Sequence, residues 1–523
     1  GNPPYSIGQK SANDNAQNQS YPNLDQRISD TYANMSSAGL SKSLYDAYIK
    51  AFRWSTDRLD KTGGIICFVS NGAWLDGNST DGFRKAIERE FSSVYIFNLR
   101  GNQRTSGELS RKEGGKLFGS GSRTPISITL LVKNPQLKSE KATIHYHDIG
   151  DYLDREQKLN ILKNYRTFAN PQLALTVLEP NEHGDWLSMR NSAYEDFIPL
   201  DPDKKFDLMS ESFFNTYAIG VATNRDAWVY NYSKSVVERS VARMVEFYNQ
   251  QLNDFTNERR SNGKLKVDDF ITVDPTKISW TRALKRDLEK QTPHKVKENE
   301  IRIGTYRPFQ KQRIYFDVKL IESPGISPVL FPNTSLSNLV ISITGTGGSK
   351  EFSPLMLDSI PNLHVVENGQ YFPLYYYEAN KSSAKGLFDN EESQKYICRD
   401  AISDSILARA KQQYGKTVKK EDIFYYVYGF LHCNEYRETF ANDLKKMLPR
   451  LPLVDDVAEF WAFSKAGRKL AELHLNYETV APSPEVTVTG DDGENYTVDK
   501  MRFPKKDQKD TIHYNSRITV SNI

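Results

Sequence analysis

Three cysteines in 523 residues, Cys67, Cys398 and Cys433, are too few and too scattered for a disulfide framework or a thiolate metal centre. That scarcity points to a reducing, cytoplasmic setting. Histidine is also sparse, at 8 residues; His145 and His147 in HYHDIG share a strand face but have no acidic or cysteine partners nearby in sequence, so no metal site is expected. No apolar run reaches the length that crosses a bilayer. Neither sign of charge is in excess: 69 Lys and Arg against 66 Asp and Glu leave a net +3, so any nucleic-acid surface has to be a local basic patch. A nucleotide-hydrolysing phosphate loop is missing as well. VISITGTGGSKEFSPLML carries a glycine turn with Ser349 and Lys350, but Glu351 follows the lysine and no helix is signalled. The segment reads as a hairpin, with Lys350 a candidate DNA contact.

What is present starts at the second residue. NPPY, Asn2 to Tyr5, is a stiff extended turn, because proline fixes its own φ and pushes the preceding residue out of the helical region. The side-chain carbonyl of Asn2, the carbonyls of Pro3 and Pro4 and the ring of Tyr5 would suit an exocyclic amino group on a planar ring. A plain Pro-rich turn is the alternative for the tetrapeptide alone.

Downstream, SANDNAQNQSYPNLDQR from Ser11 reads as a long polar loop, and residues 44–59 have helical apolar spacing. GGIICFVSNGAWL reads as a buried strand and turn, DGFRKAIEREF as an amphipathic helix and SSVYIFNLRG as a strand. TPISITLLVKN, residues 124–134, reads as the last strand of the series. The alternation implies a Rossmann-like sheet with crossover helices. No Gly-rich strand-to-helix turn follows Tyr5, so the cofactor-binding half is expected upstream, with Gly1 lying inside a catalytic domain.

Between β-like segments, residues 99–123 form a flexible Gly-rich stretch with Arg100, Arg104, Arg111, Lys112, Lys116 and Arg123. It is either a solvated loop or a phosphate-contacting one. IRIGTYRPFQKQRIYFD, residues 301–317, interleaves Arg307, Lys311 and Arg313 with Tyr306, Phe309, Tyr315 and Phe316, as a DNA-contacting surface or as a strand with core aromatics. Residues 155–165 and 232–256 read as helices, the chain from Asp400 as a helical bundle, and the part after Pro482 as a terminal sheet or hairpin.

NPPY resembles motif IV of the amino-methyltransferases, chiefly those acting on adenine N6. With LYDAYIKAFRWS, LRGNQRTSGE, RKEGGKLFGSGSRTPI, YRPFQKQRIYFD, QYFPLYYYE, YGFLHCNEYRETFANDLKKMLPRLP and LAELHLNYE in this order, the chain resembles the Type ISP restriction-modification enzymes as far as about Glu478. The resemblance implies an α/β fold, the C-terminal part of a Rossmann-like methyltransferase, followed by an α+β target recognition domain with a helical bundle. Residues 1–148 would be the later half of the N6-adenine methyltransferase, 149–300 a spacer and the start of the recognition region, 301–399 the recognition core, 400–480 supporting helices and 481–523 a β tail. It implies Asn2, Pro3, Pro4 and Tyr5 as the catalytic pocket for a flipped adenine, double-stranded DNA as partner, S-adenosyl-L-methionine as methyl donor, and ATP and Mg2+ for motor and nuclease parts that belong upstream. Cleavage would require a second copy of the enzyme on the same DNA. Alone, the chain is expected to be inactive. The rival classes are a DNA-binding specificity module and a protein-glutamine or RNA methyltransferase.

Overall fold

Apolar alternation in residues 44–134 builds a layered α/β arrangement in the computed structural model, which describes residues 1–4, 20–38, 42–59, 62–105, 107–118, 123–137, 140–202, 211–348, 350–380, 395–491, 493–498, 500–505 and 508–523. α1 (Pro22–Ile28) and α2 (Ala47–Thr56) precede β1 (Gly64–Asn71), α3 (Asp81–Glu90), β2 (Ser93–Arg100), α4 (Gly107–Glu113), β3 (Ile126–Lys133), β4 (Thr143–Asp148), α5 (Arg155–Tyr165) and β5 (Thr176–Leu178). These strands form one sheet in the order β1-β3-β2-β4-β5. β3 runs antiparallel to both β1 and β2, and β2 is parallel to β4, so β1, β2 and β4 all point the same way. Alternation sends Ile66, Val94, Ile96, Leu131 and Ile144 to one face, against Phe52 of α2 and Phe83 of α3. It sends Phe97, Leu99 and Ile126 to the other, against Ile161 and Leu162 of α5. Cover on both faces is why these strands read as nearly continuous apolar runs.

Three sequence readings differ from this structure. The sheet does not end at Asn134: β4 adds to it, burying Ile144 while His145 stacks on Tyr95 at 4.5 Å, a ring contact that hides the strand's apolar signal. The polar stretch from Ser11 is helical over Pro22–Ile28, its residues 11–19 lying outside the described ones. Pro22 sits at the helix start and Asp25 accepts the Tyr21 amide at 3.0 Å, a recognisable helix-start pattern. The basic segment is held in place: it contains α4, Gly101 N donates to the Glu113 carbonyl at 3.1 Å, and Gln103 N donates to the Arg123 carbonyl at 3.0 Å.

Beyond β5 come β6 (Ile198–Pro199), β7 (Ala218–Ile219), α6 (Asp226–Val229), β8 (Tyr230–Asn231), the long α7 (Lys234–Ser261), α8 (Val267–Phe270) and α9 (Arg282–Glu289). Ser233 caps α7 by accepting the Val236 amide, and Val237, Val241, Met244, Tyr248, Leu252 and Phe255 recur at helical spacing on its buried face. β9 (Ile301–Arg307) and β10 (Gln310–Tyr315) form a hairpin; α10 (Ser327–Leu330), β11 (Val340–Ile343), β12 (Leu355–Leu357), β13 (Ile360–Pro361), β14 (Gln370–Pro373), β15 (Tyr375–Ala379) and β16 (Tyr396–Asp400) follow. Two four-stranded sheets result, β13-β9-β10-β8 and β12-β11-β14-β7. Both feed one core with α7, through residues such as Ile314, Val340 and Tyr371. The expected hairpin of residues 340–357 is present, with Val340 opposite Leu357.

α11 (Asp404–Tyr414), α12 (Lys420–Leu431), α13 (Asn434–Thr439), α14 (Ala441–Lys446), β17 (Arg450–Leu451) and α15 (Val457–Leu475) complete the helical region. The chain divides into two compact units, Gly1–Arg468 and Lys469–Ile523. Within the second, β18 (Thr487–Thr489), β19 (Thr511–His513) and β20 (Thr519–Ser521) make a three-stranded antiparallel sheet. Among the described residues no helix is long and apolar enough to cross a membrane.

Candidate functional site

The first residue of the chain is part of the sheet. Gly1 N donates to the Cys67 carbonyl at 2.7 Å and Val69 N donates to the Gly1 carbonyl at 2.9 Å, the bonding pattern of a parallel neighbour centred on Phe68. Asn2, Pro3 and Pro4 therefore leave at the carboxyl end of β1. β2 and β4 end on the same edge, which is where open α/β sheets hold their ligands. Asn2 and Pro4 are exposed and Pro3 is buried; Tyr5 lies outside the described residues. Pro4 borders a cavity of about 710 Å³ together with Tyr21, Lys50 and Trp54. Lys50 is held 2.7 Å from Asp25. Burial pushes the Asp25 carboxyl up, but the Lys50 and Tyr21 hydrogen bonds outweigh it and leave it below its ordinary value. Trp54 is half exposed and carries the Arg58 guanidinium 3.4 Å from its ring centre.

At the ends of β2 and β4, Arg100 is engaged by its own neighbours. Its Nε lies 2.8 Å from Asp148, and its Nη1 also pairs with Asp151. Asn98 Nδ2 donates to Tyr146 Oη at 2.9 Å, and Tyr146 Oη donates to Asp148 at 3.0 Å. Arg104, Arg111, Lys112, Lys116 and Arg123 are exposed on the segment that follows; Arg111 pairs with Glu108 at 2.7 Å and Arg123 donates to the Gln103 carbonyl at 2.9 Å. A fully buried lysine, Lys158, pins this segment by donating to the carbonyls of Glu113 at 2.7 Å and Gly115 at 2.9 Å. Burial lowers its pKa.

The second basic cluster is arranged differently. Arg307 lies over the Tyr306 ring at 4.0 Å and donates to Asn362 at 3.2 Å, while Lys311 pairs with Asp358 at 3.0 Å. Arg313 is exposed on β10 and Lys350 is exposed after β11, its amide donating to Glu367 at 2.7 Å.

A buried polar hub, for which the sequence carries no signal, ties the first sheet to the helical region. Arg84 is fully buried and donates to the carbonyls of Gly184 at 2.7 Å, Trp74 at 2.7 Å and Gly77 at 2.8 Å. Lys446 of α14 pairs with Asp185 at 2.9 Å and reaches Asp76 at 3.4 Å. Asn78 Nδ2 donates to the Lys446 carbonyl at 3.0 Å, and Asn191 N donates to Asp443 at 3.1 Å. The Lys446, Asn78 and Asn191 contacts join residues more than 250 positions apart, so spacing cannot reveal them.

Residues 212–523 match the family model described as the Type ISP C-terminal specificity domain. Among solved structures, a nuclease-deletion mutant of the Type ISP restriction-modification enzyme LlaGI in complex with a DNA substrate mimic is similar over 100% of this chain, with 39% identity and a TM-score of 0.84. The ATP-dependent Type ISP restriction-modification enzyme LlaBIII bound to DNA is similar over 100% of this chain with 35% identity and a TM-score of 0.84. The DrdV–DNA complex covers 100% of it at 30% identity and a TM-score of 0.83. The chain spans 38%, 32% and 49% of those three chains, respectively. No curated protein sequence matches it.

Proposed function

Since the chain belongs to the Type ISP restriction-modification enzymes, with residues 212–523 their C-terminal specificity region, we propose that residues 1–148 supply the adenine pocket of an N6-adenine methyltransferase and that the remainder reads duplex DNA. The observation that supports this most is the parallel pairing of Gly1 with β1, which brings Asn2 to Pro4 to the carboxyl edge of the sheet. In this reading a target adenine leaves the duplex, the Asn2 side-chain carbonyl and the Pro3 carbonyl accept its two amino hydrogens, and the Tyr5 ring stacks on the base. With both hydrogens engaged, the nitrogen lone pair is turned out of ring conjugation and aimed at the methyl carbon. On transfer the amino nitrogen would gain an N–C bond to the methyl group and release one of its protons to solvent water. S-adenosylmethionine supplies the methyl group. Asn2 and Pro3 offer carbonyl acceptors of the kind that an amino group on a flat base requires, and no residue of this chain is proposed to hold the cofactor itself. Orientation and electrostatics carry the rate gain, without a dedicated general base.

Residues 149–300 would act as spacer, 301–399 as recognition core, 400–480 as support and 481–523 as tail. Arg104, Lys112 and Lys116 on the pinned segment, with Arg313, are exposed charges proposed to meet phosphate; Arg123, Lys350, Arg100, Arg111, Arg307 and Lys311 would reach it by exchanging their present partners. ATP and Mg2+ serve motor and nuclease chemistry, for which no residue here is proposed. The test is selection of duplexes from a random pool by the purified chain. Enrichment of one short asymmetric site is expected; absence of any enrichment, or methyl transfer by the full-length protein to protein or RNA instead of DNA, contradicts the reading.

A further inference from the structure

The tip of the β9–β10 hairpin is built at odds with its own chemistry. Arg307 and Gln310 are paired, so Pro308 and Phe309 are a two-residue turn, and Phe309 has φ +55°. A positive φ at the second turn position after proline follows the type II pattern, where glycine or asparagine is usual. Two-residue hairpins favour the mirror-image turns, and here the ladder shifts register between Gln310 and Lys311 to absorb the mismatch. A bulky aromatic at positive φ is an outlier that costs conformational energy. Burial does not repay that cost in full, since Phe309 is 48% exposed.

The surroundings of the tip share a character. Tyr232, 65% exposed, accepts a 2.5 Å hydrogen bond from Gln310 Nε2, which braces the turn. Ile303 is exposed and stands opposite exposed Arg313 on the ladder. Meanwhile Arg307 and Lys311 are engaged with Asn362 and Asp358. The hairpin thus leaves the Phe309 and Tyr232 rings partly exposed while three of its four charges, Arg302, Arg307 and Lys311, are engaged within the protein.

We infer that Phe309 is a DNA-contacting wedge, its ring seated against a base step of the bound duplex, with Arg313, four residues further along the chain on β10, facing the phosphate backbone. Apolar side chains inserted at base steps are an established way of gripping and deforming DNA. Retaining phenylalanine where glycine would relax the turn is then the cost of that contact. The inference rests on the duplex-binding reading above.

The test uses the full chain and a duplex that the wild-type chain has itself selected from a random pool, with 2-aminopurine placed in turn at each step of the site. Phe309→Gly is expected to melt at or above the wild-type temperature, since glycine suits the turn. It is expected to bind the duplex about tenfold more weakly, the size of one lost stacking contact, and to abolish the 2-aminopurine fluorescence change. Phe309→Trp should keep the fluorescence change. Unaltered affinity and fluorescence in Phe309→Gly overturn the inference. So does a large fall in its melting temperature or failure to fold, because Phe309 is then a packing residue. If the wild-type chain selects no duplex, it is the duplex-binding reading that has failed.

Discussion

The Lys446 ammonium lies 2.9 Å from a carboxylate oxygen of Asp185, and the two side chains are only 3% and 0% exposed. Asp185 immediately precedes Trp186, whose indole donates to Glu88 of α3 at 2.6 Å, so this one pair joins α14 to the layer covering the first sheet. Removing one partner of a buried pair strands the other charge, which typically costs about 3–5 kcal/mol. Lys446→Met is therefore expected to lower stability in urea by that order, and Lys446→Met combined with Asp185→Leu to recover part of it. A double-variant loss equal to the sum of the losses of Lys446→Met and Asp185→Leu alone would show that the pair is not coupled.

The same cluster sets a pH dependence. Burial pushes the Asp185 carboxyl up, but the hydrogen bonds from Lys446 and Asn181, with the Lys446 charge, outweigh it and hold it below its ordinary value. Stability from such a group is in place above its unfolded pKa and is lost as pH falls through its folded pKa. Asp443 has the opposite sign: burial raises it, so its contribution is complete below its unfolded pKa and is lost as pH rises through the folded one. Urea midpoints should show the deficit of Asp185→Asn shrinking as pH drops below about 4, whereas Asp443→Asn should gain on wild type as pH rises above that range.

Where α12 crosses α15, two glycines face each other's backbones. A Cβ on Gly467 would lie 2.0 Å from the Tyr425 carbonyl oxygen, and one on Gly429 would lie 2.2 Å from that of Phe463. Backbone cannot yield as a side-chain end can, so Gly467→Ala is expected to cost at least about 1–3 kcal/mol despite alanine's better helix propensity. Thermal melting checks this; an unchanged or raised midpoint contradicts the close crossing.

Lys158 holds the basic segment by its carbonyls. Lys158→Met should leave the sheet intact but raise hydrogen exchange at the Gly101 and Gly115 amides, and should weaken duplex binding by loosening the exposed charges. Retained protection at both amides would mean that α4 and the Gly101–Glu113 bond suffice without the lysine.

How far the sequence is readable follows from which interactions are local. β1, β2, β3 and α7 are legible because their apolar spacing is carried by aliphatic residues. β4 is readable as a strand but not as a member of this sheet, because His145 and His147, half-buried against Tyr95 and Phe97, look polar. α1 is visible only in its start signals, Pro22 and Asp25, which the surrounding asparagines and glutamines obscure. At the candidate site, NPPY and the two basic clusters are readable as residue types, but not which charges are already spoken for. The Arg100–Asp148 and Lys311–Asp358 pairs depend on strand neighbours that no spacing rule supplies. Lys446 in DLKKMLPRLP looks like a solvated charge until α14 is set against Asp185 and Asp76.

The central claim, that the NPPY edge receives an adenine selected by the specificity region, is tested most directly by expressing the full-length protein in an unmethylated host and mapping N6-methyladenine across the genome by single-molecule sequencing. One asymmetric motif, modified on a single strand and reduced roughly 100-fold or more by Asn2→Ala with duplex affinity retained, is the predicted result. Soluble protein with no modified motif, or a motif that survives Asn2→Ala, would contradict it.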